Sequence, residues 1–325
     1  MGSFEELIPG SGIYQLTIPT NMGTGDNHTY FGEGSGGWTV IDPGTKLPAG
    51  QAMWKEALKE IGISFRQIKE IYVTHNHPDH FGLAGWLQEQ SGAEVFLSPT
   101  DISTNEQFLL PEKQHIALLM EYMGPYGVPP SIPEVLVKEV QRLMPFITPI
   151  PDLTLLEAGH TFHLGDDEYE TLPSPGHTDG HVSFLGKRRK RLLSGDALCL
   201  DRVSQLSEWP YSSLTNPMQV QMQALHDIVD RGVTQVLAGH GVVFDTVRER
   251  LTEIEEEHRK RINKVEKTLQ REMTLVEVCR ILDVKARTPH EMRVSWGDTR
   301  AYLEYLWQQG RITKNTGPVI SYAPK

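Results

Sequence analysis

Near the start of the chain, apolar residues come in short runs with the alternating period of a strand. The run 12–19, with Ile13, Tyr14, Leu16 and Ile18, is the first, and 27–31 and 38–41 follow. A glycine-rich stretch at 32–37 separates the last two, so the pattern predicts an opening β-meander. The period then lengthens. Met53, Trp54, Ala57, Leu58 and Ile61 recur at helical spacing over 47–61. A short apolar strand is predicted at 68–73, a helix from 81 to about 90, and a strand at 93–97. Strands alternating with helices define an α/β pattern.

The texture changes between 100 and 151. Helices are predicted at 105–110, 112–123 and 133–144, broken by Gly124-Pro125 and Val128-Pro129-Pro130. Phe108, Leu118, Met120, Met123, Tyr126, Leu143, Met144 and Phe146 make this insertion rich in Met and aromatic residues. Such residues suit plain core, and equally a lid over an apolar pocket, because methionine adapts its shape. Strands resume at 153–156, 159–164, 169–172, 182–185 and 191–196, then a helix at 217–230 and a strand at 233–238. Beyond that lies a charged helix at 246–271. A capping box, Thr274 with Glu277, precedes Val278, Ile281 and Leu282. A further helix is predicted over 299–309, opened by residues 295–298 and closed by Gly310, followed by strands at 311–313 and 319–322. The expected organisation is a body at 1–245 carrying the insertion, and an appendage at 246–325 whose helix, helix, hairpin order resembles a winged-helix module.

The strand ends carry the chemistry. The strand at 68–73 runs into Thr74-His75-Asn76-His77-Pro78-Asp79-His80, which places three imidazoles and one carboxylate within six residues. Imidazole and carboxylate are ligands for a borderline metal such as zinc. One histidine at a strand end is commonly a packed or solvated residue; the pattern His-x-His-x-Asp-His is much rarer and carries a metal mechanism. His177 lies in Pro175-Gly176-His177-Thr178-Asp179-Gly180-His181, Asp196 closes the strand at 191–196, and His240 follows the strand at 233–238. His75, His77, Asp79, His80, His177, Asp196 and His240 suffice for two metal ions sharing one bridging carboxylate. Asp42, ahead of Pro43-Gly44, is suited either to start a turn or to back the metal site. His28 stands alone and reads as an ordinary strand residue. Ser194 and Cys199 flank Asp196 without a base of their own, so neither reads as a nucleophile.

The series Asp42, His75-x-His77-x-Asp79-His80, His177, Asp196, His240 resembles the metallo-β-lactamase superfamily motif by motif, over about residues 10 to 245. The resemblance implies an αββα sandwich with a dinuclear site at one edge. By that resemblance His75, His77 and His177 hold one metal, Asp79, His80 and His240 the other, and Asp196 bridges. Asp42 orders the loop, and His181 is structural or supports a ligand. The two divalent ions, zinc ahead of iron or manganese, share a hydroxide that attacks the substrate, and Asp79 also orients it as the catalytic residue. True β-lactamases of the best-known class resemble His-x-His-x-Asp-Arg with cysteine in place of Asp196, whereas this chain has His80 and Asp196. Flavin-linked di-iron reductases resemble His-x-Glu-x-Asp, against His77 here. The nuclease branch carries its large inserted domain late, and here the insertion lies between the second and third motifs. What remains resembles glyoxalase-II-like and lactonase-like hydrolases acting on a small ester, thioester or lactone.

Composition adds limits. The two cysteines, Cys199 and Cys279, are far apart and form no C-x-x-C, which fits small buried hydrophobes in a reducing, cytoplasmic setting. The N-terminal residues lack the basic and apolar regions of a secretory leader, and no apolar run is long enough to span a membrane. The net charge of −11 divides unevenly, −15 before residue 250 and +4 from Arg250 onward. An acidic body is a poor general binder of polyanions. The mildly basic appendage leaves a second expectation, a phosphodiesterase or ribonuclease whose tail contacts nucleic acid. Packing against the body or a homodimer contact are the other roles for that appendage. A metal-stabilised binding module is a third possibility, against which a full ligand set argues.

Overall fold

The computed structural model describes residues 4–20, 25–206, 212–283 and 288–325. Residues 1–3, part of the N-terminal stretch read for a leader, lie outside the described residues. Seven strands form the first sheet in chain order: β1 (Phe4–Glu6), β2 (Ile13–Ile18), β3 (Asn27–Glu33), β4 (Trp38–Ile41), β5 (Ile68–Tyr72), β6 (Glu94–Leu97) and β7 (Leu153–Leu155). β1 to β4 pair antiparallel as a meander, and β4 to β7 pair parallel. The second sheet has five strands, β8 (Thr161–Leu164), β9 (Asp167–Pro173), β10 (Val182–Gly186), β11 (Arg191–Gly195) and β12 (Gln235–Ala238), antiparallel except for the parallel β11–β12 pair.

Helices fill the spaces between these strands. They are α1 (Pro48–Ile61), α2 (Pro78–Phe81), α3 (Ala84–Ser91), α4 (Pro99–Phe108), α5 (Glu112–Met123), α6 (Ser131–Leu143) and α7 (Pro217–Val229), then α8 (Val247–Thr268), α9 (Leu275–Leu282) and α10 (Pro289–Gln308). Successive strand residues point to opposite faces of a sheet. Tyr30, Ile41, Tyr72 and Phe96 face inward and meet Phe162, Tyr169, Phe184 and Leu237 of the second sheet. Their neighbours Phe31, Val40, Ile71 and Val95 face outward under Trp54, Leu58 and Leu87 of α1 and α3. On the other side, α7 and α8 cover Leu192 and Val236 with Leu225, Ile228, Leu251 and Ile254. The layers are therefore helix, sheet, sheet, helix, as the motif series implied.

The insertion and the C-terminal segment share a core of their own. Leu119, Met123, Tyr126, Leu136 and Val137 bury against Ile262, Val265, Leu275, Val278, Trp296, Leu303 and Tyr322. A third sheet, in the order β13 (Met273–Thr274), β15 (Ser321–Pro324), β14 (Ile312–Asn315), closes this segment. The sequence pattern missed β1 and β13, which are too short to show a period.

Two helices begin well before the pattern placed them. The last helix begins at Pro289, not at 299: Thr288 and Glu291 form a reciprocal capping box and Pro289 takes the first turn. Gly297 and Asp298, which looked like a start signal, lie inside it. The insertion likewise starts at Pro99, where Ser98 Oγ accepts the Asp101 amide. Within α10 the residues Ala301, Tyr302, Leu303 and Leu306 are buried. Arg300 donates to the Tyr122 and Tyr126 hydroxyls and stacks on both rings. This part of the appendage, which sequence offered as a nucleic-acid contact, is thus packed against the insertion.

Candidate metal centre

β4 and β5 run parallel, as do β11 and β12, and β9 runs in the same sense as β11 through two antiparallel pairings. Their carboxyl ends therefore lie at one edge of the sandwich. Asp42 follows β4, residues 74–77 follow β5, and α2 carries Asp79 and His80. His177 lies in the turn between β9 and β10, Asp196 follows β11, and His240 follows β12. All seven sequence-nominated residues come together there. Three overlapping groups, His75/His77/His177, His75/His80/Asp196 and Asp79/His80/His240, each have donor atoms within 4.8 Å of one another.

Finer distances order them. His177 Nε2 is 3.0 Å from His77 Nδ1 and 3.4 Å from Asp196 Oδ2. Asp196 Oδ1 is 3.2 Å from His80 Nε2 and 3.5 Å from His240 Nε2, which is 3.3 Å from Asp79 Oδ2. Asp196 thus faces both groups.

The far ring nitrogens are held from behind. His80 Nδ1 donates to Asp42 Oδ2 at 2.8 Å, His240 Nδ1 to the Asp26 carbonyl at 2.8 Å, and His177 Nδ1 to the Gln205 carbonyl at 3.3 Å. His75 Nδ1 meets Thr74 Oγ1 at 3.0 Å, and that hydroxyl donates to Asp42 Oδ2 at 2.8 Å. Each bond fixes a ring so that Nε2 faces the centre, the support a metal-ligating histidine receives from its outer partners. Asp42 also accepts the Thr74 amide at 2.7 Å, with its own backbone at φ 51°, a strained region for a non-glycine residue. It orders the loop, as the resemblance implied.

The donor atoms fit a metal. His75 Nε2 is buried without a hydrogen-bond partner, an expensive arrangement unless something else satisfies it. Asp196 Oδ1 and His240 Nε2 have only the neighbouring site atoms around them and make no hydrogen bond. His181 does not fit. Its Nδ1 pairs with Ser174 Oγ at 2.7 Å and its Nε2 accepts the Asp196 amide at 3.1 Å, leaving neither for a metal. His28 similarly spends Nε2 on the Gly241 carbonyl at 2.6 Å and Nδ1 on Gln15 and Thr17.

Burial and the surrounding imidazoles keep His75 neutral, and burial with the His177 charge pushes His77 down to about 3. Burial works to raise Asp79, but the nearby His240 and His80 imidazoles outweigh it and leave the carboxyl below its usual range. Burial opposes charge on His80 too, yet Asp196 and Asp42 raise it. Cys199 is buried, which pushes its thiol up, and it remains a small core residue rather than a nucleophile.

One contributor had no sequence signal beyond its place at a helix start. Asp101, 1% exposed, accepts the Asn76 amide at 2.9 Å and the Thr178 hydroxyl at 3.0 Å on Oδ2, and the Gly180 amide at 3.1 Å on Oδ1. It thereby ties the loop of His75 and His77 to the loop of His177. Only the folded chain brings residues so distant in sequence together.

Beside the centre lies a cavity of about 520 Å³. His77, Asp79, His177 and Asp196 form its polar floor. Phe108, Leu136, Val140, Leu143, Met144, Phe146 and Ile147 form an apolar wall. The insertion is therefore core on one side and pocket wall on the other.

A family model described as "Metallo-beta-lactamase superfamily" matches residues 22–240, and the chain belongs to that superfamily. The chain is 24% identical to the "Probable metallo-hydrolase YqjP" of Bacillus subtilis, over 93% of this chain and 94% of that protein. It is 26% identical to the "Hydroxyacylglutathione hydrolase GloC" of Haemophilus influenzae, over 62% of this chain and 79% of that protein. Among solved structures, the metallo-beta-lactamase family protein TTHA1429 from Thermus thermophilus superposes with a TM-score of 0.83 at 26% identity, covering 98% of this chain and all of that one. No helix among the described residues is long and apolar enough to cross a membrane.

Proposed function

We propose that this chain is a dinuclear metal hydrolase that opens a thioester or ester bond of a small acyl substrate. The observation that carries the reading is the meeting of three donor triads around Asp196 beside an apolar-walled cavity. His75, His77 and His177 would hold one ion and Asp79, His80 and His240 the other, with Asp196 shared. When bound, such a pair polarises a carbonyl oxygen and lowers the pKa of a water toward neutrality. The chain's own residues do the rest. Asp79, ionised and held by His240, orients the attacking water. The wall from Phe108 to Ile147 holds an acyl group and excludes solvent from the carbonyl. A hydroxyacylglutathione is a thioester, and the likeness to a hydroxyacylglutathione hydrolase supports that bond type. Zinc is the first metal to test, since imidazole and carboxylate donors also accept iron and manganese.

The test is metal analysis joined to kinetics. The protein should bind about two transition-metal ions per chain and hydrolyse a chromogenic acyl thioester when loaded. Asp79→Asn should lower kcat by about 10²-fold or more, with a smaller change in KM. A protein binding less than one ion per chain, or one inert toward thioesters and esters when loaded, would sink the reading.

A further inference from the structure

Residues 197–206 leave Asp196 and pass beneath His177. Two contacts join this run directly to the centre: Ser204 Oγ donates to the Asp196 carbonyl at 2.6 Å, and the Gln205 carbonyl accepts His177 Nδ1 at 3.3 Å. The backbone of the same run is held by the C-terminal segment at three points. Arg250, in the first turns of α8, donates Nε to the Cys199 carbonyl at 2.7 Å and Nη2 to the Arg202 carbonyl at 2.8 Å. Asp298, in the middle of α10, accepts the Leu206 amide on Oδ1 at 2.9 Å. Its other oxygen faces Arg261 of α8 at 3.7 Å.

These are costly groups to spend on a loop. Arg250 is only 7% exposed, and a buried guanidinium is destabilising unless its donors are matched. Its matches, apart from Glu253, are the two loop carbonyls. Charged donors and acceptors make stronger and more directional bonds than neutral ones. The contacts leave the Gln205 carbonyl little freedom, and that carbonyl sets the ring of His177, whose Nε2 lies 3.4 Å from Asp196 Oδ2.

We infer that Arg250 and Asp298 are positioning residues for the metal centre, through which the C-terminal segment holds residues 197–206 so that Asp196 and His177 present their donors to one point. The inference rests on the metal reading above. It also gives α8 and α10 a role in the site, although neither carries one of the seven nominated ligands.

The experiment uses the full chain and zinc. Zinc affinity, measured by competition with a chromophoric chelator, should fall about 10–100-fold in Asp298→Ala, the usual loss when an outer partner of a ligand is removed. Asp298→Asn, which keeps an acceptor for the Leu206 amide, should stay within about threefold of the parent. Because coupling is reciprocal, zinc added to the metal-free parent protein should slow amide exchange in the 197–206 peptide. Asp298→Ala with parental zinc affinity overturns the inference whatever its melting temperature. Exchange in 197–206 that ignores zinc overturns it as well, and decides the matter if Asp298→Ala does not fold. A parent protein that takes up no zinc overturns the metal reading and this inference together; unchanged affinity in Asp298→Ala overturns this inference alone.

Discussion

At the scale of single residues, the site depends on carboxylates with divided roles. Asp196 faces donors of both histidine groups and Asp79 faces those of His80 and His240, while Asp42 and Asp101 lie behind them and hold loops. Asp101 has a measurable consequence. Three donors favour its ionised form, but burial dominates and pushes the carboxyl up to about 7. Between about pH 4 and pH 7 the unfolded chain has lost this proton and the folded chain keeps it. The folded state then binds more protons, so this residue's contribution makes stability fall as pH rises through that window, and level off above it. Urea midpoints of the metal-free protein and of Asp101→Asn at several pH values check this. The difference between parent and variant should shift against the parent with rising pH, by up to a few kcal/mol. Parallel curves would mean that Asp101 is ionised throughout. The contrast between the two kinds of carboxylate also explains what sequence disclosed. Asp79 and Asp196 stand next to other ligands or at the end of a readable strand, so local pattern found them. Asp101, Arg250 and Asp298 act across long sequence separations, and no local pattern marks such a bond.

At the scale of elements, strand ends do the placing, and their backbone is under tight demands. Gly195 closes β11 directly before Asp196 at φ +50°, and a Cβ there would lie 2.7 Å from Thr74 Oγ1 and 2.8 Å from His181 Nε2. Gly195→Ala should therefore cost about 2 kcal/mol or more and weaken metal binding, read by thermal melting and zinc titration. The insertion makes a different prediction. If α6 and the turn after it seat the acyl group, kcat/KM should rise with acyl length until the wall is covered, by roughly 0.8 kcal/mol for each buried methylene. Leu143→Asp, on that wall, should flatten the trend while leaving zinc affinity near parental; an equal loss for acetyl and longer thioesters would speak against an acyl seat. The elements themselves were legible where their period was long enough, as in α1, α7 and the paired sheets. They were misread where the signal was a cap. The Thr288–Glu291 box starts α10 well before the apolar spacing that marks its buried face, and Gly297 obscured the continuity by resembling a break.

At the scale of the whole molecule, the C-terminal segment is bound into the body by the core it shares with the insertion and by Arg250 and Asp298. Removing it would uncover Leu119, Met123, Tyr126 and Leu136 and strip α8 from the second sheet, so loss of activity on truncation cannot by itself speak for a nucleic-acid role. The charge arrangement bears on that question directly. A net +4 suggests a polyanion surface only if the cations stand free, and here many face the segment's own acids: Arg259 with Glu256, Lys260 with Glu257, Arg271 with Glu277, Arg311 with Glu266 and Lys314 with Glu304. Arg300 is held between Tyr122 and Tyr126. Polyanion binding draws its strength from counterion release at unmatched cations, and the release scales with the number of phosphates neutralised. A segment with many of its described cations already matched, on a body of net −15, should release few. Fluorescence anisotropy of a labelled single-stranded RNA with the full chain should accordingly show no binding at low salt that a rise in salt then removes. A steep salt dependence would mean that these ion pairs open to phosphate, and would return the phosphodiesterase reading to the front.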